Sequence, residues 1–260
     1  MSISLNNCLF LTNKTLYKQI DKKAKDILKE YSVSDLIGCN LKNVIKHYAE
    51  KNKKCLKILC LPFNDKQVWG YFYNIETIYF IVINSEISLK KQNVALAHEF
   101  YHFITASEND DYNVKDIIAE KKVNDCTNIE DEDKKADAFS ASLLMPESFI
   151  NKLVTGLITE NAPNIVKFLM DTCIVPYKTV IIRLNELSLL KKDLAEKLLN
   201  DNAIKAHTDR WDNAFNNFID LDDLNDIIEE NKEYCFITPE EATKITNEVE
   251  EIKRKLKNND

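Results

Sequence analysis

Val94-Ala95-Leu96-Ala97-His98-Glu99-Phe100-Tyr101-His102-Phe103-Ile104 decides how the rest of the chain is read. The run is apolar except for three residues, and Ser88 ahead of it suits a helix start. On a helix, His98 and His102 are four residues apart and sit about 40° apart on one face. Two imidazoles so placed can reach one zinc ion at about 2.0–2.1 Å. Glu99 lies about 100° further round, where its carboxylate can reach a water activated by the metal. Two histidines at helical spacing also arise by chance. The apolar helix around them is the context that a working H-E-x-x-H motif needs.

A catalytic zinc requires a third protein ligand and leaves the fourth place to water. A histidine further along the same stretch would fit H-E-x-x-H-x-x-G-x-x-H, but Thr105 stands where that glycine belongs and Glu108 where the histidine does. The remaining option is an acidic residue on a second helix. Asp133-Lys134-Lys135-Ala136-Asp137 offers two carboxylates at i, i+4, on one helix face. Glu132, one residue out of register and pointing about 100° away, is the alternative to Asp133 as third ligand. Glu130 and Asp131 read as a solvated charge run. By similarity to glutamate-type zinc peptidases, Asp133 is assigned as the ligand. Asp137 is then the partner that fixes the tautomer and orientation of His98. Tyr101 and Tyr112 are candidates for an additional oxyanion donor, though packing or surface roles suit both.

Working outward, residues 14–31 place Leu16, Ile20, Ala24, Ile27, Leu28 and Tyr31 on one helical stripe. A second helix passes through Val44, Ile45 and Tyr48. Three β-rich runs follow, at Leu56–Leu61, Val68–Tyr73 and Thr77–Ile83, separated by short turns. They suggest a small antiparallel three-stranded sheet. After the motif helix, residues 113–128 read as a short helix and a loop. A long helix is expected from about Asp131 to Leu144, stopped at Met145-Pro146. Segments 164–172 and 177–187, joined by a turn at Cys173–Pro176, read as helix-turn-helix-like. Lys178 and Arg183 are offset there by Glu186, so DNA contact is disfavoured against packing on the rest of the fold. Polar helices are expected at Asp220–Glu233 and Pro239–Lys257. The fold class is α+β and mainly helical. The expected units are 1–155 with the metal site, 156–190 as the helix-turn-helix-like subdomain, and 191–260 as an acidic helical extension.

Composition excludes several alternatives. Three glycines in 260 residues leave no phosphate-cradling glycine loop. The net charge of −7 weakens a nucleic-acid reading. Residues 191–260 hold 18 acidic and 11 basic side chains and so carry the whole excess. Seven cysteines, an odd number without a C-x-x-C pair, fit a reduced compartment. With no signal-peptide pattern and no apolar run near the ~20 residues of a membrane span, a cytoplasmic location is expected, without membrane partners.

ALAHEFYHFI, KKADAFSASLLMPES and VPYKTVIIRLNELSLL, together with strands ending in Ile81-Val82-Ile83-Asn84, make residues 15–190 resemble the ImmA/IrrE family of zinc metallopeptidases. The resemblance implies a zincin-like fold, one Zn²⁺ per chain, and a general-base role for Glu99. It also implies a substrate peptide pairing along the edge strand Tyr79-Phe80-Ile81-Val82-Ile83. The implied substrate is a helix-turn-helix transcriptional repressor, cleaved to relieve repression in a mobile element or a stress response. No DNA-binding domain is fused ahead of the motif. One departure stands out: the family usually has glutamate where this chain has Asp133, so the second helix must sit closer to the metal. A non-catalytic zinc-containing interaction module is the alternative, and the intact Glu99 argues against it. A zinc hydrolase of non-peptide substrates is disfavoured by the strand expected beside the metal.

Overall fold

The computed structural model describes residues 5–31, 36–37, 40–63, 67–75, 77–109, 126–154 and 162–200. The expected helices at 220–233 and 239–257, the segment 113–125 and Tyr112 lie outside the described residues. A 3-10 turn at Leu5–Asn7 leads to the short helix α1 (Leu9–Thr12) and then to α2 (Lys14–Glu30) and α3 (Leu41–Lys51). The strands are β1 (Cys55–Leu61), β2 (Gly70–Ile75) and β3 (Ile78–Asn84). Then come α4 (Leu89–Glu108), α5 (Cys126–Leu144), α6 (Glu147–Val154), α7 (Ala162–Thr172), α8 (Tyr177–Glu186) and α9 (Lys192–Asn200). The structure is α+β and mainly helical, as the periodicities indicate. Among the described residues no helix is long and apolar enough to cross a membrane.

Helix starts follow local chemistry. Asn13 accepts a hydrogen bond from the Leu16 amide at the head of α2, and Ser88 Oγ accepts from the Lys91 amide at the head of α4. The stripe Ile20, Ala24, Ile27 and Leu28 is buried, and α2 packs with it towards α5. Pro146 follows the end of α5, consistent with a helix stop.

The sheet is mixed rather than antiparallel, and this corrects the expected pairing. Its order is β1-β3-β2. β2 and β3 form a hairpin in which Ile75 pairs with Ile78, so only two residues turn the chain. β1 pairs with β3 in parallel, from Cys55↔Ile78 to Leu61↔Asn84. The link from β1 to β2 is longer than a tight hairpin turn, which lets β3 insert between them. Asn84, fully buried, closes this end: its Nδ2 donates to the Val68 carbonyl at 2.9 Å and its Oδ1 accepts from the Phe63 and Glu86 amides at 3.2 and 2.9 Å.

One face of the sheet lies on α4. Phe72, Ile81 and Ile83 are buried there, and Tyr79 meets Phe103 edge-on at 5.3 Å. On the other face Tyr73 stacks on Phe80 at 4.7 Å. A single apolar core runs from Leu5 to Leu199. It takes in α7, α8 and α9, including Ala195 and Leu199 of the segment that composition groups with the acidic extension.

Arg183 of α8 has no exposed surface. Its Nε donates to the Met145 carbonyl at 3.0 Å, Nη1 to Tyr17 Oη at 2.6 Å and to Glu186 Oε2 at 3.1 Å, and Nη2 to Asp21 Oδ1 at 3.2 Å. The guanidinium fork therefore joins α2, the end of α5, and α8, and it is sealed from any DNA contact. Burial pushes the Tyr17 hydroxyl and the Glu186 carboxyl up from their usual ranges. Arg183→Met should strand these partners and cost about 3–5 kcal/mol, read by urea denaturation. Arg183→Lys should recover only part of that loss, because an ammonium cannot reproduce the fork.

Candidate metal centre

Val94, His98 and His102 repeat every four residues along α4, and Asp133, Asp137 and Ala141 do the same along α5. The two helices pack together with these ladders facing. His98 Nε2 and His102 Nε2 are 3.2 Å apart. Asp133 Oδ1 is 3.8 Å from the first and 3.5 Å from the second. Bonds of about 2.0–2.2 Å in tetrahedral geometry require donor atoms about 3.3–3.5 Å apart. The observed triangle brackets that spacing, so the donor set fits a metal ion such as zinc. Among the described residues this is the group of three or more metal-ligating side chains that converges in this way.

The second carboxylate sits where the tautomer is decided. His98 Nδ1 donates to Asp137 Oδ1 at 3.0 Å, which leaves Nε2 with its lone pair directed at the triangle. Glu132 turns away and pairs with Lys135. Asp131 pairs with Lys134 at 3.4 Å. The structure thus brings His98, His102, Asp133 and Asp137 together and leaves Glu132 out.

The electrostatics ask for a cation. Burial alone would depress the His98 imidazole, but the Asp133 and Asp137 carboxylates outweigh it and the pKa is pushed up to about 10. Burial would likewise raise Asp133, yet His102 and His98 hold it well below the usual carboxylate range. Three carboxylates, with Glu99 the third, surround two imidazoles. Without a metal this pocket recruits protons; with one, Asp133 and the two imidazoles would serve as ligands.

Glu99 is 7% exposed and follows His98 on α4. Its wall is the start of β2. A β-carbon built on Gly70 would lie 3.4 Å from Glu99 Cγ and 3.0 Å from both the Val82 carbonyl oxygen and Ile83 Cδ1. The backbone contact with the Val82 carbonyl is what favours glycine here, and the Glu99 side chain lies in ordinary contact beside it. The sequence reading passed over Gly70, although a lone glycine inside a β-rich run is a signal of close backbone approach.

The expectation for Tyr79-Phe80-Ile81-Val82-Ile83 is overturned. This segment is β3, hydrogen-bonded to β1 on one side and β2 on the other, so it is the central strand and has no edge to offer. Among the described residues, the strand that reaches the site with an unpaired edge is β2. Tyr101 is buried, with its ring 5.5 Å from Phe139 and edge-on to His102 at 5.9 Å.

Residues 53–185 match the family model Peptidase_M78, described as the IrrE N-terminal-like domain. No curated protein matches the chain.

Replacement of His98, His102 or Asp133 by alanine should each abolish stoichiometric metal binding, while Glu132→Ala should retain it. Asp137→Ala should weaken metal affinity by about 10–100-fold, because the imidazole loses its orienting partner. Elemental analysis and competition with a chromogenic chelator check all five variants.

Proposed function

The chain belongs to the Peptidase_M78 family through its IrrE N-terminal-like domain, and on that premise we propose that it is a zinc-dependent endopeptidase cleaving a helix-turn-helix transcriptional repressor. The family and the His98–His102–Asp133 triangle make the protein metallopeptidase-like. The observation that carries the catalytic reading is the pairing of that triangle with an intact, buried Glu99 beside it. The repressor as substrate rests on the resemblance of the motifs to the ImmA/IrrE family.

His98, His102 and Asp133 would hold the ion, and Asp137 would keep His98 in the binding tautomer. The chemistry the ion supplies when bound is Lewis acidity toward a carbonyl oxygen and a lowered pKa for water. Glu99 takes a proton from the attacking water on its carboxylate as the new C–O bond forms at the scissile carbon. It then delivers that proton to the amide nitrogen, and the C–N bond breaks. Burial of Glu99 against Gly70 fixes the carboxylate and limits competing solvent contacts.

An extended substrate can add to the edge of β2 that is unpaired among the described residues, starting where Gly70 lies beside Glu99. Backbone pairing of that kind holds a peptide by its main chain. It suits an exposed linker in a folded partner.

Glu99→Gln keeps the shape of the side chain but cannot accept the proton. Metal content should be unchanged and cleavage should fall by about 10²–10⁴-fold, measured on the same preparation against helix-turn-helix repressors encoded nearby. Undiminished cleavage by this variant would sink the mechanism. Gly70→Ala should also retain the metal, yet it should lower kcat, because its methyl group presses on the Val82 carbonyl and Ile83 and shifts the strand that lies against the Glu99 side chain. Single-turnover rates at saturating substrate test this.

A further inference from the structure

Next to the metal centre lies a cleft of about 320 Å³, within the usual range for pockets that take a ligand group. It begins where the donor ladders end. Val94 is one turn before His98 on α4, and Ala138 and Ala141 follow Asp137 on α5. The two helix faces that carry ligands therefore continue as an apolar floor. Trp69, the residue before Gly70, lines the same cleft, so it borders Glu99's wall as well. Ile182 of α8 supplies the opposite side.

The remaining wall comes from Leu5 and Leu9, outside the family-matched residues 53–185. That N-terminal segment is pinned in place. The Leu5 amide donates to Glu196 Oε1 at 3.3 Å, and Lys192 Nζ donates to Asn6 Oδ1 at 2.6 Å. Both carboxylates that touch the cleft are engaged elsewhere, Asp137 with His98 and Glu186 with Arg183. The other charged groups lining it are Lys134 and Lys178, which disfavour a basic occupant.

We propose that this cleft is the side-chain subsite for a substrate residue adjoining the scissile bond, that it selects a large apolar side chain, and that the N-terminal segment 5–9 is part of its specificity. The proposal rests on the peptidase reading for its role and names the substrate class: peptides with Leu, Ile, Met or Phe at the cut. A Gly or Ala there leaves the cleft unfilled. An Asp would lose its water against the apolar floor, and a Lys would face Lys134 and Lys178.

Two readouts separate this proposal from the peptidase reading. In the first, zinc-loaded full-length protein digests a random decapeptide library and the cut sites are read by mass spectrometry. Cuts should adjoin Leu, Ile, Met or Phe at least about tenfold more often than Ala, Asp or Lys. Ala141→Leu and Ile182→Phe, which fill the cleft from two sides, should erase that preference with metal content unchanged. Ile182→Ala should extend it to Trp.

The second readout needs no cleavage. The full chain carrying Glu99→Gln and Trp211→Phe has Trp69 as its one fluorophore of this type. N-acetyl-leucinamide should shift its emission and N-acetyl-aspartamide should not. Ala141→Leu should abolish the response.

Cleavage whose preference survives both filling variants overturns the subsite and leaves the peptidase reading standing. A selective Trp69 response without cleavage of any library member keeps the cleft and sinks the peptidase reading. Neither cleavage nor response overturns both.

Discussion

The 3.0 Å bond from His98 Nδ1 to Asp137 Oδ1 ties α4 to α5 one helical turn from the point where Asp133 meets both imidazoles. It sets three things at once: the His98 tautomer, the rotation of α5 about its own axis, and the register of one ladder against the other. A rotation of α5 by one residue would swing Asp133 away by about 100° and bring Glu132 toward the histidines. Glu132 and Asp131 instead pair with Lys135 and Lys134 along α5 itself, and Asp133 is the carboxylate that meets the imidazoles. Further along α5, Arg183 takes the Met145 carbonyl and so fixes the end of the same helix. The ligand triangle is thus defined from both ends of α5, by a polar contact at the site and by a buried guanidinium beyond it.

Much of this was legible in the sequence, for identifiable reasons. His98, His102, Asp133 and Asp137 all stand at four-residue spacings inside strongly patterned helices, and an α-helix converts such spacing directly into a shared face. Asp133 could be preferred over Glu132 from its four-residue spacing to Asp137 together with the family resemblance. The helices α2, α4, α5, α7 and α8 were likewise carried by apolar periodicity and by caps such as Asn13 and Ser88. What these patterns could not convey is how separate elements meet. Nothing local tells Arg183 apart from a surface arginine; its burial follows from Tyr17, Asp21 and Met145, which converge from distant parts of the chain.

The sheet shows where local reading stops. Short turns between β-rich runs imply consecutive pairing, and β2 and β3 do pair that way. Yet strand order is a tertiary property, and β3 sits between its two predecessors. One local signal did point there. Ile78-Tyr79-Phe80-Ile81-Val82-Ile83 is apolar without interruption, which suits a strand covered on both faces rather than a half-exposed edge. Tyr79, Ile81 and Ile83 face α4, while Phe80 stacks on Tyr73 across the other face. β2, with Gly70 and polar Asn74 within a shorter run, has the composition of the edge. The same glycine that weakens β2 as a strand is what lets it lie against Glu99.

The aspartate at position 133 can now be placed in physical terms. It is one methylene shorter than the glutamate usual in the family, so α4 and α5 must approach more closely for its carboxylate to reach both imidazoles. Small side chains beside the facing ladders permit this. Ala97 on α4 and Ala136 on α5 are completely buried, and Ser140 is nearly so. Bulkier residues there would wedge the helices apart, and a carboxylate on the shorter stem would fall short of the histidines. The short ligand and the small neighbours are therefore one constraint seen from two sides. The same small residues, continuing as Ala138 and Ala141, leave room at the end of the ladders for the apolar cleft. Close helix packing at the metal and an open pocket one turn away follow from a single run of small side chains along α5.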